Sequence, residues 1–173
     1  MRIQFKLLLF VYFCFAGGLS IRDSISAEGS SVFFENKDAV IRFENYRSCK
    51  ECQAYEVVIF SDGRVLYTGK SLVKVLGEKW YQVDPQEVVQ LSTSLVRQGF
   101  FELQDSYVDK GLFDMNIAEI SLRQEKRQKT VRFHYAANMS RPKPLVNFAS
   151  EINAVTKTDQ LRCPAVISGR KLC

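Results

Sequence analysis

Residues 48–52 read SCKEC, and Cys49 with Cys52 forms a C-x-x-C. That spacing serves thiol-disulfide centres, zinc knuckles and structural cystines. A redox pair needs a stabilised thiolate, usually supplied by a helix N-terminus behind the motif. Here a strand-like run, QAYEVVIF, follows, and Lys50 alone is a modest substitute. Structural zinc needs four ligands, often as two close pairs. The other candidates are the widely spaced Cys163 and Cys173 and the single histidine, His134. A structural cystine is therefore the favoured reading, with no metal. Of the 5 cysteines, Cys14 lies in the N-terminal apolar run, which leaves Cys49, Cys52, Cys163 and Cys173. Four cysteines allow three pairings, and spacing does not choose among them.

His134 is expected on the polar face of a strand beside Thr130 and Arg132. A triad would need a nucleophile and an acid brought to it. Ser121 and Asp114 are present, but no motif places them. Asp109 and Asp114 lack calcium-loop spacing. No phosphate loop, dinucleotide fingerprint, H-E-x-x-H or nucleophile elbow occurs, so neither a cofactor nor a catalytic residue is assigned.

A basic run carries Arg123, Lys126, Arg127, Lys129, Arg132, Arg141 and Lys143 against one acid, Glu125. Arg123, Lys126, Arg127, Lys129 and Arg132 form a candidate anion-binding surface for lipid headgroups or a cell-wall polymer. The competing reading is a solvated sheet edge whose lysines discourage aggregation.

The elements that must hold these residues can be read from periodicity. The chain has 173 residues and a formal charge of +5. Its start, MRIQFKLLLFVYFCFAGGLS, has the three parts of a secretory signal: Arg2 and Lys6, an apolar run, and Ala16-Gly17-Gly18. The run is too short to span a bilayer. The expectation is a signal peptide over residues 1–18, with a cut after Ala27 as the alternative, and an exported, periplasmic or secreted chain. Losing Arg2 and Lys6 lowers the charge to +3, which does not demand a nucleic-acid partner. Residues 19–31 read as a disordered linker, 32–158 as one domain and 159–173 as a cysteine-containing tail.

Within the domain, AVIRFE (39–44) alternates, with Ile41 and Phe43 inward and Arg42 and Glu44 outward. AYEVVIF reads as a central strand, turned at Asp62-Gly63 by a primed turn into RVLYT. Weaker strands are expected near 72–76 and 79–83. DPQEVVQLSTSLVRQG is a capped helix with Val88, Leu91 and Leu95 on its buried stripe, widened by Val89 and Val96. A second hairpin turns at QEKRQ, with Ala118, Ile120, Leu122, Val131, Phe133 and Tyr135 inward. A last helix starts near Pro144 with Leu145, Phe148, Ile152 and Val155 inward. The expected fold is α+β, a single domain with an antiparallel sheet of about six strands and two helices on one face.

The joint pattern Cys49-x-x-Cys52-x-x-Tyr55, then Asp62-Gly63-x-Val65-x-Tyr67-x-Gly69, resembles an uncharacterised family of exported bacterial domains. The helix ending before Phe100-Phe101, and Val131, His134 and Tyr135 ahead of a Pro-Leu helix, are similar too. The resemblance covers about residues 39–155, with Gln53 where the family often has proline. It implies export and a small domain, and no activity. It also implies that a domain complete without the tail would pair Cys49 with Cys52. Pairing between Cys52 and the tail stays open. The reading is a non-enzymatic binding or interaction module of the cell envelope, partnered by an envelope protein or an anionic surface component. Its alternative is a thiol-active or hydrolytic enzyme using Cys49, Cys52 or His134.

Overall fold

A computed structural model describes residues 28–46, 52–109, 111, 115–135 and 142–163. The elements run α1 (Glu28–Glu35), β1 (Ala39–Tyr46), β2 (Ala54–Phe60), β3 (Arg64–Ser71), β4 (Gly77–Gln82) and α2 (Pro85–Arg97). They continue with β5 (Ser106–Tyr107), β6 (Ile117–Gln124), β7 (Arg127–His134) and α3 (Lys143–Thr156). The fold is α+β, one sheet with two main helices. The sheet order is β4-β3-β2-β1-β6-β7-β5, so β1 is the central strand of seven. Every pairing is antiparallel except β5 with β7.

Period-two alternation gives the sheet two faces. One carries Ile41, Phe43, Tyr55, Val57, Ile59, Val65, Tyr67, Ala118, Ile120, Leu122, Val131 and Phe133, and packs on α2 and α3. Val88, Leu91 and Leu95 of α2 and Leu145, Phe148 and Ile152 of α3 meet it. Asp84 caps α2 by accepting the Gln86 N–H at 2.8 Å, and Pro85 fills the first turn. Gly99, at φ +84°, closes the helix in the left-handed region.

The hairpin between β2 and β3 corrects the expected primed turn. Of Asp62 and Gly63 only Gly63 has positive φ (+84°), and its N–H bonds the Phe60 carbonyl at 3.0 Å. The loop is the three-residue form with glycine at its last position. A Cβ at Gly63 would collide with the Val83 carbonyl, so glycine is required there twice over.

Other expectations are corrected. Residues 72–76 form no strand; Leu72 and Gly77 take positive φ, and the Val75 N–H bonds the Leu161 carbonyl at 3.1 Å. Val89 is exposed, off the buried stripe of α2. Ser106–Tyr107, where no strand is expected, is a short strand. Helix α1 begins at Glu28, ahead of Val32 where order is expected to start. At the other end, Leu161 enters the core beyond residue 158.

The largest correction concerns the face of the sheet away from α2 and α3. Arg42 and Glu44 are expected in solvent, yet both are buried, as are Glu56, Ser121 and His134. At one end of this face α1 lays Phe33 on Ala39, Val58, Phe60 and Leu66, a second apolar cluster. At the other end lies a set of charges.

Candidate functional site

Alternation on β1 and β2 puts Arg42, Glu44 and Glu56 on that second face, and the pairing Glu44↔Glu56 sets two carboxylates side by side. Such a pair needs a cation. Arg42, only 1% exposed, supplies it: Nε bonds Glu56 at 2.5 Å, Nη2 bonds Glu44, and Nη1 reaches Glu119 on β6 at 3.2 Å. Lys70 of β3 adds a contact to Glu44 at 2.5 Å and lies 3.4 Å from Glu56 Oε2. Arg132 stands 3.7 Å from Glu119. Three cations thus face three carboxylates. Burial works to lower the Arg42 pKa, but Glu56 and its neighbours outweigh it and hold the guanidinium above its ordinary value. The Tyr46 hydroxyl donates to Glu119 at 2.8 Å, and burial with that carboxylate pushes its pKa up to about 12.

This network escapes a reading by periodicity, because a salt-bridged face and a solvated face alternate alike. One residue does betray it. Glu56 is a lone charge inside AYEVVIF, and a charge in a central strand has to be paired.

On the helix-covered face, three tyrosines fasten the end of the described chain. Tyr55 donates to Asn153 Oδ1 at 3.2 Å, Tyr81 to the Thr156 carbonyl at 2.8 Å and Tyr67 to the Leu161 carbonyl at 3.4 Å. Arg162 donates to the Tyr55 hydroxyl at 3.1 Å, and Gln53 to the Cys163 carbonyl at 2.7 Å. The residue after Cys52 is therefore bonded to Cys163. Cys49 and Cys173 lie outside the described residues. Cys52 leads directly into β2 at Ala54, so no helix N-terminus follows it to favour a thiolate.

His134 is on the expected face of β7 but not in solvent. It is 3% exposed, and Nε2 accepts the Asp109 N–H at 3.0 Å. That bond places the ring proton on Nδ1, which has no hydrogen-bond partner among the described residues. Ser121 is buried against Thr130 at 2.8 Å. Thr130 lies four residues along β7 from His134, about 13 Å at the strand rise. The two are not brought together, and Asp114 lies outside the described residues. Among the described residues no group of three or more histidine, cysteine or acidic side chains could hold a metal ion.

The five basic candidates separate. Arg123 donates to three backbone carbonyls, Phe33 at 3.1 Å, Asn36 at 2.5 Å and Ala39 at 3.1 Å, and lies 4.9 Å over the Phe33 ring. It fastens α1. Arg132 serves Glu119 and stands 5.7 Å over Tyr46. Lys126, Arg127 and Lys129 stay together along a groove of about 700 Å³ that Phe101, Glu102 and Asp105 also line. Lys129 pairs with Asp105 at 3.0 Å. The Arg127 guanidinium stacks 4.1 Å over Phe101 and makes no ion pair among the described residues.

The core of this architecture coincides with a known family. The family model described as Domain of unknown function (DUF6438) matches residues 39–156, from the first residue of β1 to the last of α3. Helix α1 and the fastened segment 158–163 lie outside that span. No curated protein matches the chain. With well over half its length matched, the chain belongs to the DUF6438 family of domains of unknown function.

Proposed function

We propose that the chain is an exported, non-enzymatic interaction module that docks an oxyanion-bearing component of the cell envelope in the groove beside the β6–β7 turn. The observation that carries this reading is the stack of Arg127 on Phe101. A guanidinium held over an aromatic ring with no carboxylate partner among the described residues leaves N–H groups for an anion, which suits phosphate or carboxylate. Lys126 adds charge at the turn. Glu102 and Asp105 limit the groove to a small positive excess, which favours a modest, salt-sensitive contact. The N-terminal signal pattern supports export. Cys49, Cys52, Cys163 and Cys173 are proposed to be oxidised as structural cystines, supported by the even count and by the bond tying Gln53 to Cys163.

The test is binding of the exported chain to phosphatidylglycerol vesicles and, separately, to soluble polyphosphate across a salt series. Binding should weaken with salt, and both Arg127→Ala and Arg127→Lys should weaken it about tenfold, since lysine cannot reproduce the planar stack. Binding to vesicles alone points to lipid headgroups, and binding to polyphosphate as well points to a phosphate polymer. Absence of binding to both probes, or binding indifferent to Arg127, overturns the reading.

A further inference from the structure

Trp80 is the only tryptophan in the chain. It lies in β4, the strand at one end of the sheet, and is 51% exposed. One face of its indole rests on Phe60, with ring centroids 5.6 Å apart and planes 30° apart. Phe60 is itself fully buried and carries Arg64 4.9 Å above its ring. The tryptophan is therefore held on a rigid support with its other face open. The register sets Arg64↔Gln82, Leu66↔Trp80 and Thr68↔Glu78 across the pair. Arg64, Thr68, Glu78 and Gln82 consequently share the face of Trp80 and flank it, about 7 Å along the strands.

We infer that this platform binds a neutral sugar ring, as found along a polysaccharide. The axial C–H bonds of a pyranose carry partial positive charge and pack on the negative face of an aromatic ring. Its equatorial hydroxyls need both donors and acceptors at the rim, and the flanking side chains supply both. Arg64 is paired with Asp62 at 2.6 Å, so the platform presents no free cation to an anionic ligand, while Glu78 supplies oxygens that accept from hydroxyls. This separates it from the basic groove. Addition of a peptide strand to β4 is the competing occupant. Against it, Glu78 and Lys79 put charges on a six-residue edge strand, a usual defence against strand addition. Trp80 also stands on the sheet face and not in the plane of that edge.

The single tryptophan gives the experiment its signal. Maltotetraose, cellotetraose and chitotetraose are titrated into the folded full-length mature chain while Trp80 emission and its quenching by acrylamide are followed. At least one should give a saturable emission change with reduced quenching, half-saturating on the order of millimolar. By calorimetry Trp80→Ala should weaken that binding tenfold or more, whereas Trp80→Phe should retain most of it and Arg127→Ala all of it. Because the wild-type quenching measurement stands alone, a poorly folded variant does not rescue the idea. No saturable response to any of the three sugars overturns it. So does binding that survives Trp80→Ala, or protection of Trp80 by an extended peptide and by none of the sugars.

Discussion

Arg42 has three carboxylates around it, and two of them, on Glu44 and Glu56, are buried with it. Removing the guanidinium strands those charges, which is far costlier than never having built the network. Arg42→Ala should lower unfolding stability by about 3–5 kcal/mol, read from urea denaturation. Replacing Arg42, Glu44 and Glu56 together by apolar residues of similar volume should cost much less. A small loss in the single variant would show the cluster to be solvated. At this scale the sequence is legible only in part. Ile41 and Phe43 are correctly inward, but no local pattern distinguishes an outward glutamate in water from one that meets an arginine on the neighbouring strand. His134 is misread for the same reason, since the Asp109 backbone that covers it comes from a separate loop.

At the scale of elements, hairpins and helices with their own punctuation are legible. Gly63, the Asp84 cap and Gly99 mark ends that need no distant partner. Elements fixed from elsewhere are not. Residues 72–76 are held by the Leu161 carbonyl, and β5 exists because Ser106 and Tyr107 meet Arg132 and Phe133. Helix α1 belongs to this class. Eight residues are too few to hold a helix in isolation, and the clamp that holds it is Arg123, from β6. Arg123→Ala should therefore release α1 while sparing the sheet. The expected loss is about 1.5–3 kcal/mol, with hydrogen-exchange protection falling selectively over 33–39. Uniform loss of protection, or none, would refute the clamp.

For the whole molecule, the tyrosines couple stability to alkaline pH. Burial pushes Tyr67 and Tyr81 up to about 12 against an ordinary value of 10.0, and burial with Glu119 does the same for Tyr46. Tyr55 is raised further in the same direction, chiefly by burial. A raised folded pKa favours the neutral phenol in the folded state. Its stabilisation is complete below pH 10 and is lost as pH rises through about 12. Stability measured by denaturant should be flat on this account up to pH 10 and fall steeply between 10 and 12, with phenolate absorbance appearing together with unfolding. The segment 158–163 should loosen in the same window, because Tyr67 and Tyr81 bond that region and the end of α3. Ionisation of Tyr46, Tyr55, Tyr67 or Tyr81 well below pH 12 with the fold intact would contradict it.

The central position of β1 has a temporal meaning. A chain that appears N-terminus first has β1 to β4 available as a local meander long before β6, whose residues 117–124 must close the other side of β1. Until then the middle strand of the finished sheet is an open edge, the kind of surface on which unfinished chains stick to one another. Arg42 and Glu44 then put charges on that edge, with Glu56 and Lys70 already beside them and Glu119 still absent. The same charges that lock the completed sheet thus serve first as its guard against other copies, and the closing strand brings Glu119 to convert one role into the other.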